Sequence, residues 1–204
     1  MDIINALLAA GVDLNSQLNI HRPSRSGNSG RFIEPLLGTG CTPLMRAIIG
    51  PWSPTDNERK DKGGDAEVVQ ALLAKGANPN INDMGVTPFL VAAGVNAGVK
   101  GGTGLAAQWS AAPPPNMELM ELLLQHGADL NAQVTGTFTY EMRVSRAPSA
   151  NEGKTALHVA AESGNADLVR YLLNKGARKN LVDAEGHKPM DLAKATEVRT
   201  LLER

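Results

Sequence analysis

Apolar positions near the end of the chain recur at helical spacing. Leu157, Ala160 and Ala161 fall on one face of a helix that opens at Thr155. These side chains are small enough to let a neighbouring helix approach. Val169, Leu172 and Leu173 form the apolar stripe of a second helix, and Gly176 supplies the left-handed residue that ends it. Further on, Leu192, Val198, Leu201 and Leu202 alternate with Lys194, Glu197, Arg199, Glu203 and Arg204, which gives a helix with a polar outer face. Elsewhere the period changes to two. Phe138, Tyr140, Met142 and Val144 alternate with Thr137, Thr139, Glu141, Arg143 and Ser145, a strand signal.

The helical pattern belongs to a phrase that recurs four times. Its starts are Thr42-Pro43-Leu44-Met45, Thr87-Pro88-Phe89-Leu90, Thr155-Ala156-Leu157-His158 and the degenerate Lys188-Pro189-Met190-Asp191. A Thr hydroxyl can cap a helix, and Pro fits its first turn, where no N–H is needed. The ends run from Leu7-Leu8 to Gly11 and Asn15, from Leu72-Leu73 to Gly76 and Asn80, from Leu123-Leu124 to Gly127 and Asn131, and from Leu172-Leu173 to Gly176 and Asn180. The phrase resembles the ankyrin repeat, in the bacterial-type form with long insertions. That resemblance implies an all-α solenoid of stacked helix-turn-helix units that displays a surface for binding.

Spacing locates the departures from the repeat. Thr155 to Lys188 spans 33 residues, an unmodified unit, whereas Thr42 to Thr87 spans 45 and Thr87 to Thr155 spans 68. The excess falls in insertions at about 16–38, 51–64, 94–116 and 132–150. The expected organisation is a single domain over 1–204. It comprises a half repeat at 1–15, repeats at about 39–80, 84–131 and 152–180, and a C-terminal capping repeat at 185–204. By the resemblance, the first and last insertions occupy the hairpin fingers between repeats. The middle two lie between the helices of one repeat, on the opposite edge.

Composition narrows the partners. The net charge of −1 gives no global attraction to nucleic acid or to a membrane surface. The single cysteine, Cys41, excludes an internal disulfide. No run of about 18 apolar residues is present, so no span is expected. The start Met1-Asp2-Ile3-Ile4 lacks the basic and apolar segments of a signal peptide. The compartment is open: cytoplasmic if Met1 is the native start, exported if the chain is a fragment.

Ile3, Ile4, Leu7 and Leu8 read as the second helix of a repeat whose first helix is missing. A solenoid end normally carries a polar outer face. This one is expected either to belong to a longer chain or to stack on a neighbour, and these four residues are the candidates for self-association.

The fingers carry the candidate binding residues. The 16–38 finger holds Arg22, Arg25, Arg31 and Phe32 and has a charge of +2. The 132–150 finger holds Phe138, Tyr140, Met142, Arg143 and Arg146 and has a charge of +1. A basic, partly aromatic clamp for a protein partner is one reading; arginines that solubilise or pin long hairpins are the other. Trp52 and Trp109 sit in the two middle insertions, either as interface anchors or as internal pins.

Chemistry is sparse. The run Gly98-Val99-Lys100-Gly101-Gly102-Thr103-Gly104 is no phosphate loop, because a helix precedes it and Lys100 is followed by glycine. His21, His126, His158 and His187 have no metal-ligand spacing. His158 fills a position of the repeat itself and reads as structural. Cys41 precedes a capping Thr and has no neighbouring His. No catalytic, cofactor or metal residue is expected, and the chain reads as a binding scaffold rather than an enzyme.

Overall fold

A computed structural model describes residues 2–17, 41–50, 64–82, 85–95, 114–135, 139–140, 143–144 and 151–204. The helices among them are α1 (Asp2–Ala9), α2 (Pro43–Ile49), α3 (Ala66–Ala74), α4 (Pro88–Ala92) and α5 (Met117–Gln125). After two short strands come α6 (Ala156–Ser163), α7 (Ala166–Asn174), α8 (Pro189–Leu192) and α9 (Thr196–Glu203). The strands are β1 (Thr139–Tyr140) and β2 (Arg143–Val144).

The first helices start where the repeated phrase starts. Thr42 Oγ1 accepts from the Met45 N–H at 3.2 Å, and Thr87 Oγ1 from the Leu90 N–H at 3.4 Å. Thr155 Oγ1 accepts from the His158 N–H at 3.4 Å. Lys188 has no side-chain acceptor to offer. There Asp191 reverses the roles, its Oδ2 accepting from the Lys188 N–H at 2.8 Å. The second helices are capped as well, by Asp65, Asn116 and Asn165 through their side-chain oxygens. Gly176 follows α7 at φ +92°, in the left-handed region that closes a helix.

Helices pack in two layers. In one, α2 lies against α4 and α6 against α8; in the other, α3 lies against α5 and α7 against α9. Each short pair contributes one stripe to a shared core, formed by Leu44, Met45 and Ile48, Val69 and Leu72, Phe89 and Leu90, Leu119 and Leu123, and on through Leu157, Val169, Leu172 and Val198. The small faces expected of Ala160 and Ala161 are fully buried. α9 buries Val198 and Leu202 and leaves Glu197, Arg199 and Glu203 exposed. At the other end Leu7 is 51 % exposed and Val12 44 %, while Leu8 and Leu14 are partly buried against the core. Ile3 and Ile4 lie in α1, but their side chains are outside the described residues.

The asparagines that end each phrase form a ladder across units. Asn15 Oδ1 accepts from the Asn78 N–H, Asn80 Oδ1 from the Asp129 N–H, and Asn131 Oδ1 from the Arg178 N–H, each at 2.8 Å. The same position in one unit therefore binds the same backbone donor in the next. This explains why the phrase ends in Asn, which the sequence pattern alone left without a reason.

Candidate partner-binding surface

The fingers are rooted by backbone bonds that continue from unit to unit. Thr135 donates its N–H to Gly85 O at 2.8 Å, and Val134 donates to Lys154 O at 2.9 Å. Gly153 donates back to Val134 O at 2.8 Å, and Ala184 donates to Glu152 O at 3.1 Å. Side-chain amides reinforce the row. Gln133 Nε2 donates to Gly153 O at 2.6 Å and to Val182 O at 2.9 Å. Asn82 Nδ2 donates to Thr135 Oγ1 at 2.8 Å. The root is also packed, with Ala132 and Val134 both buried. A hairpin emerging from this base is held at both of its ends.

The strand signal lies in that hairpin. β1 and β2 pair antiparallel, with Tyr140 opposite Arg143 and Thr139 opposite Val144. The alternation from 138 to 144 reads as one run in the sequence, but the chain reverses between Tyr140 and Arg143. Its residues divide between two strands because a hairpin needs the turn that a continuous strand lacks. Two of the candidate binding residues, Tyr140 and Arg143, are thereby directly opposite. Arg22, Arg25, Arg31, Phe32, Phe138, Met142 and Arg146 lie outside the described residues. So do His21, Trp52, Trp109 and the glycine-rich run.

Further groups lie along the finger row and the second helices. Val182, 46 % exposed, stands on the turn after α7 beside Gln133. Neither was singled out by the sequence pattern, since a lone Val and a lone Gln in a loop carry no periodicity. Lys154 pairs with Glu162 at 2.6 Å, linking finger base to first helix. On the second helices, Tyr171 donates to Glu121 Oε2 at 3.0 Å and Lys175 to Glu121 Oε1 at 2.8 Å. Hydrogen bonds from Lys175 and Tyr171 hold the Glu121 carboxyl below its ordinary range, whereas burial and then Glu121 push the Tyr171 hydroxyl up. This triad joins two units and leaves no group poised for proton transfer.

The remaining chemistry is structural in character. His158 is fully buried, and His126 Nδ1 lies 2.9 Å from Leu122 O at the end of α5. Cys41 is buried beside the α2 cap. A groove of about 360 Å³ opens beside Ala93, Gly94, Pro114, Pro115, Val159 and Leu168, with no ionisable side chain among the described residues of its lining. Among the described residues, no three His, Cys, Asp or Glu side chains are placed to hold a metal ion, and no helix is long and apolar enough to cross a membrane.

Comparison with known proteins decides the family. The family model described as ankyrin repeats in three copies matches residues 86–183 and 109–203, and that of a single ankyrin repeat matches residues 39–84. The chain belongs to the ankyrin-repeat family. Among curated relatives, the human mitochondrial disaggregase is 31 % identical over 191 residues, covering 90 % of this chain and 24 % of the relative. The human protein phosphatase 1 regulatory subunit 27 is 31 % identical over 90 residues, 44 % of this chain and 48 % of the relative. The rat cyclin-dependent kinase 4 inhibitor B is 30 % identical over 131 residues, 64 % of this chain and 74 % of the relative. The chain spans 21 % of the bovine disaggregase and 48 % of the phosphatase subunit, about a fifth to a half of their lengths.

Proposed function

We propose that this ankyrin domain is a non-catalytic scaffold that binds a protein partner through its concave helices and its long fingers. The observation that carries the reading is the finger root. Buried Val134 and the bonds to Gly85 and Lys154 support a long hairpin on a rigid base. Preorganising a loop lowers the ordering cost of binding. Two relatives bear the names of a phosphatase regulatory subunit and a kinase inhibitor, and both names describe action through another protein. The candidate contacts are Arg22, Arg25, Arg31 and Phe32 on one finger and Phe138, Tyr140, Met142, Arg143 and Arg146 on the other. Their basic charge favours an acidic partner, with association weakened by salt. Cross-linking of the intact chain in its native extract, with a chain lacking 136–150 as control, tests this. Partners captured equally by both would move binding away from that finger.

A second reading rests on the exposed near end. Leu7 and Val12 stand open on and beside α1, so end-to-end stacking through Ile3, Ile4, Leu7 and Leu8 is the alternative. Light scattering after size exclusion separates the two: a monomer at micromolar concentration opposes stacking.

A further inference from the structure

His158 is a buried titratable group that the binding function does not use. It stands three residues after Thr155, at the position that Met45 and Leu90 occupy in the two preceding units. All three side chains are fully buried, but only one of them can take up a proton. Of these three units, only the one opened by Thr155 can take up a proton at this position.

The hydrogen bonds fix its protonation state. Thr155 N lies 3.1 Å from His158 Nδ1, and a backbone N–H can only donate, so Nδ1 is an acceptor. The ring proton therefore sits on Nε2, which donates to His187 O at 3.1 Å. His187 O also accepts from the Asp183 N–H at 2.9 Å, which closes the turn leading into α8. One neutral tautomer thus ties α6 to the following unit. A second proton on Nδ1 would face the Thr155 N–H, donor against donor, in a site without water access. Thr155 Oγ1, 2.8 Å from Nδ1, would then have to turn and accept from the ring while it also caps α6.

Charges around the ring do not offset this. Lys154 is paired with Glu162, and the Asp191 carboxylate accepts the Lys188 backbone N–H at the start of α8. Asp183 is buried, and its Oδ1 accepts from the Glu185 and His187 N–H groups, so its charge is engaged in the turn. Burial would raise its carboxyl, but those bonds and the nearby imidazoles outweigh it and hold it below the ordinary range. The His187 ring lies 3.6 Å from Asp183 and 3.8 Å from Glu185, outside hydrogen-bond distance of both. For His158, burial dominates and holds the imidazole below its ordinary value, against the His187 carbonyl and Asp183.

We propose that His158 is an acid-sensitive latch between the 151–180 unit and the C-terminal unit, whose release on protonation opens α8 and α9 away from α6 and α7. An unfolded or opened His158 binds its proton near the ordinary value of about 6.5. The closed joint binds it at lower pH. The latch is therefore fully engaged above that value and weakens as pH falls below it. Opening uncovers Leu157, Ala160 and Val169, an apolar face that neutral pH keeps closed.

Hydrogen exchange of the full chain at pH 7.5 and pH 5.0, corrected for intrinsic rates, tests the latch. In the natural sequence, protection of residues 181–204 should fall several-fold on acidification, because the opened joint takes up the proton more readily than the closed one, while residues 66–80 change little. In His158→Leu, the residue of the Thr87 unit, this local pH dependence should vanish. Unchanged protection of 181–204 in the natural chain overturns the latch. So does an equal pH dependence in His158→Leu, which would assign it to His187 or Asp183. If the variant does not fold, the natural chain decides through the NMR titration of the His158 ring. Titration at the ordinary value without loss of protection overturns the latch, and titration below it in step with opening supports it.

Discussion

Asn116 donates its backbone N–H to the carbonyl of Ala92 at 2.8 Å, closing a loop that contains residues 93–115. Asn165 makes the same bond to Ala160 at 3.1 Å across residues 161–164 alone. Both asparagines cap the following helix, through Leu119 N–H in one unit and Leu168 N–H in the other. Both carbonyls lie five residues after a capping threonine. The long insertion thus leaves and rejoins the repeat at two points that the short connection also uses. Gly64 ends the 51–64 insertion in a similar way, donating to Ile48 O at 2.9 Å.

Shortening the loop should therefore leave the solenoid intact. Replacing residues 96–115 with a single glycine, as at 164, keeps buried Val95, both ends of the Asn116–Ala92 bond and the four-residue length of the short connection. Because loop-closure entropy grows only slowly with length, stability should change by no more than about 2 kcal/mol. Urea unfolding monitored by circular dichroism checks this. Loss of cooperative folding would show that the insertion supplies core contacts.

The asparagine ladder predicts graded losses. Asn131→Ala removes the acceptor of the Arg178 N–H, and Asn80→Ala removes that of Asp129. Each should lower stability by about 0.5–1.5 kcal/mol, the net worth of one hydrogen bond. Asn15→Ala should cost less, since Asn15 belongs to the end where Leu7 is largely exposed. Denaturant midpoints of the three variants provide the comparison, and equal losses at all three would contradict the weak near end.

Much of the fold is legible in the chain because its signals are local. A cap, a proline in the first turn and a closing glycine each act within a few residues of themselves, so Thr42, Thr87, Thr155 and Gly176 are found without tertiary information. The caps Asn116 and Asn165 follow the same chemistry but carry no repeated phrase around them. The ladder was visible as a recurring Asn and not as a bond, since its partner lies 47 to 63 residues away. The site is less legible. Periodicity marks the apolar positions of 138–144, yet it cannot show the reversal that sets Tyr140 against Arg143. Gln133 is invisible for the same reason, because its two carbonyl partners come from other segments.

Two glycines should respond differently to the same change. Gly153 sits at φ +76°, and a Cβ there would press on the backbone of Asp183 and Ala184 in the next finger. Gly127 sits at φ +85° with open space around it. Gly127→Ala should cost roughly 1–2 kcal/mol, from the left-handed backbone alone. Gly153→Ala should cost more and should also loosen the 181–187 turn. Thermal melts with hydrogen exchange of that turn check both, and equal effects would show that the finger contact yields easily.

Binding through the 132–150 finger is tested most directly by Tyr140→Ala, measured for affinity and for melting temperature on the same sample. With a captured partner, calorimetry should show binding weakened by roughly 1–3 kcal/mol, as at an aromatic interface anchor. The melting temperature should stay nearly constant, because β1 pairs with β2 and belongs to none of the stacked helices. Intact affinity with a large fall in melting temperature would contradict the scaffold reading of this finger and make Tyr140 a packing residue.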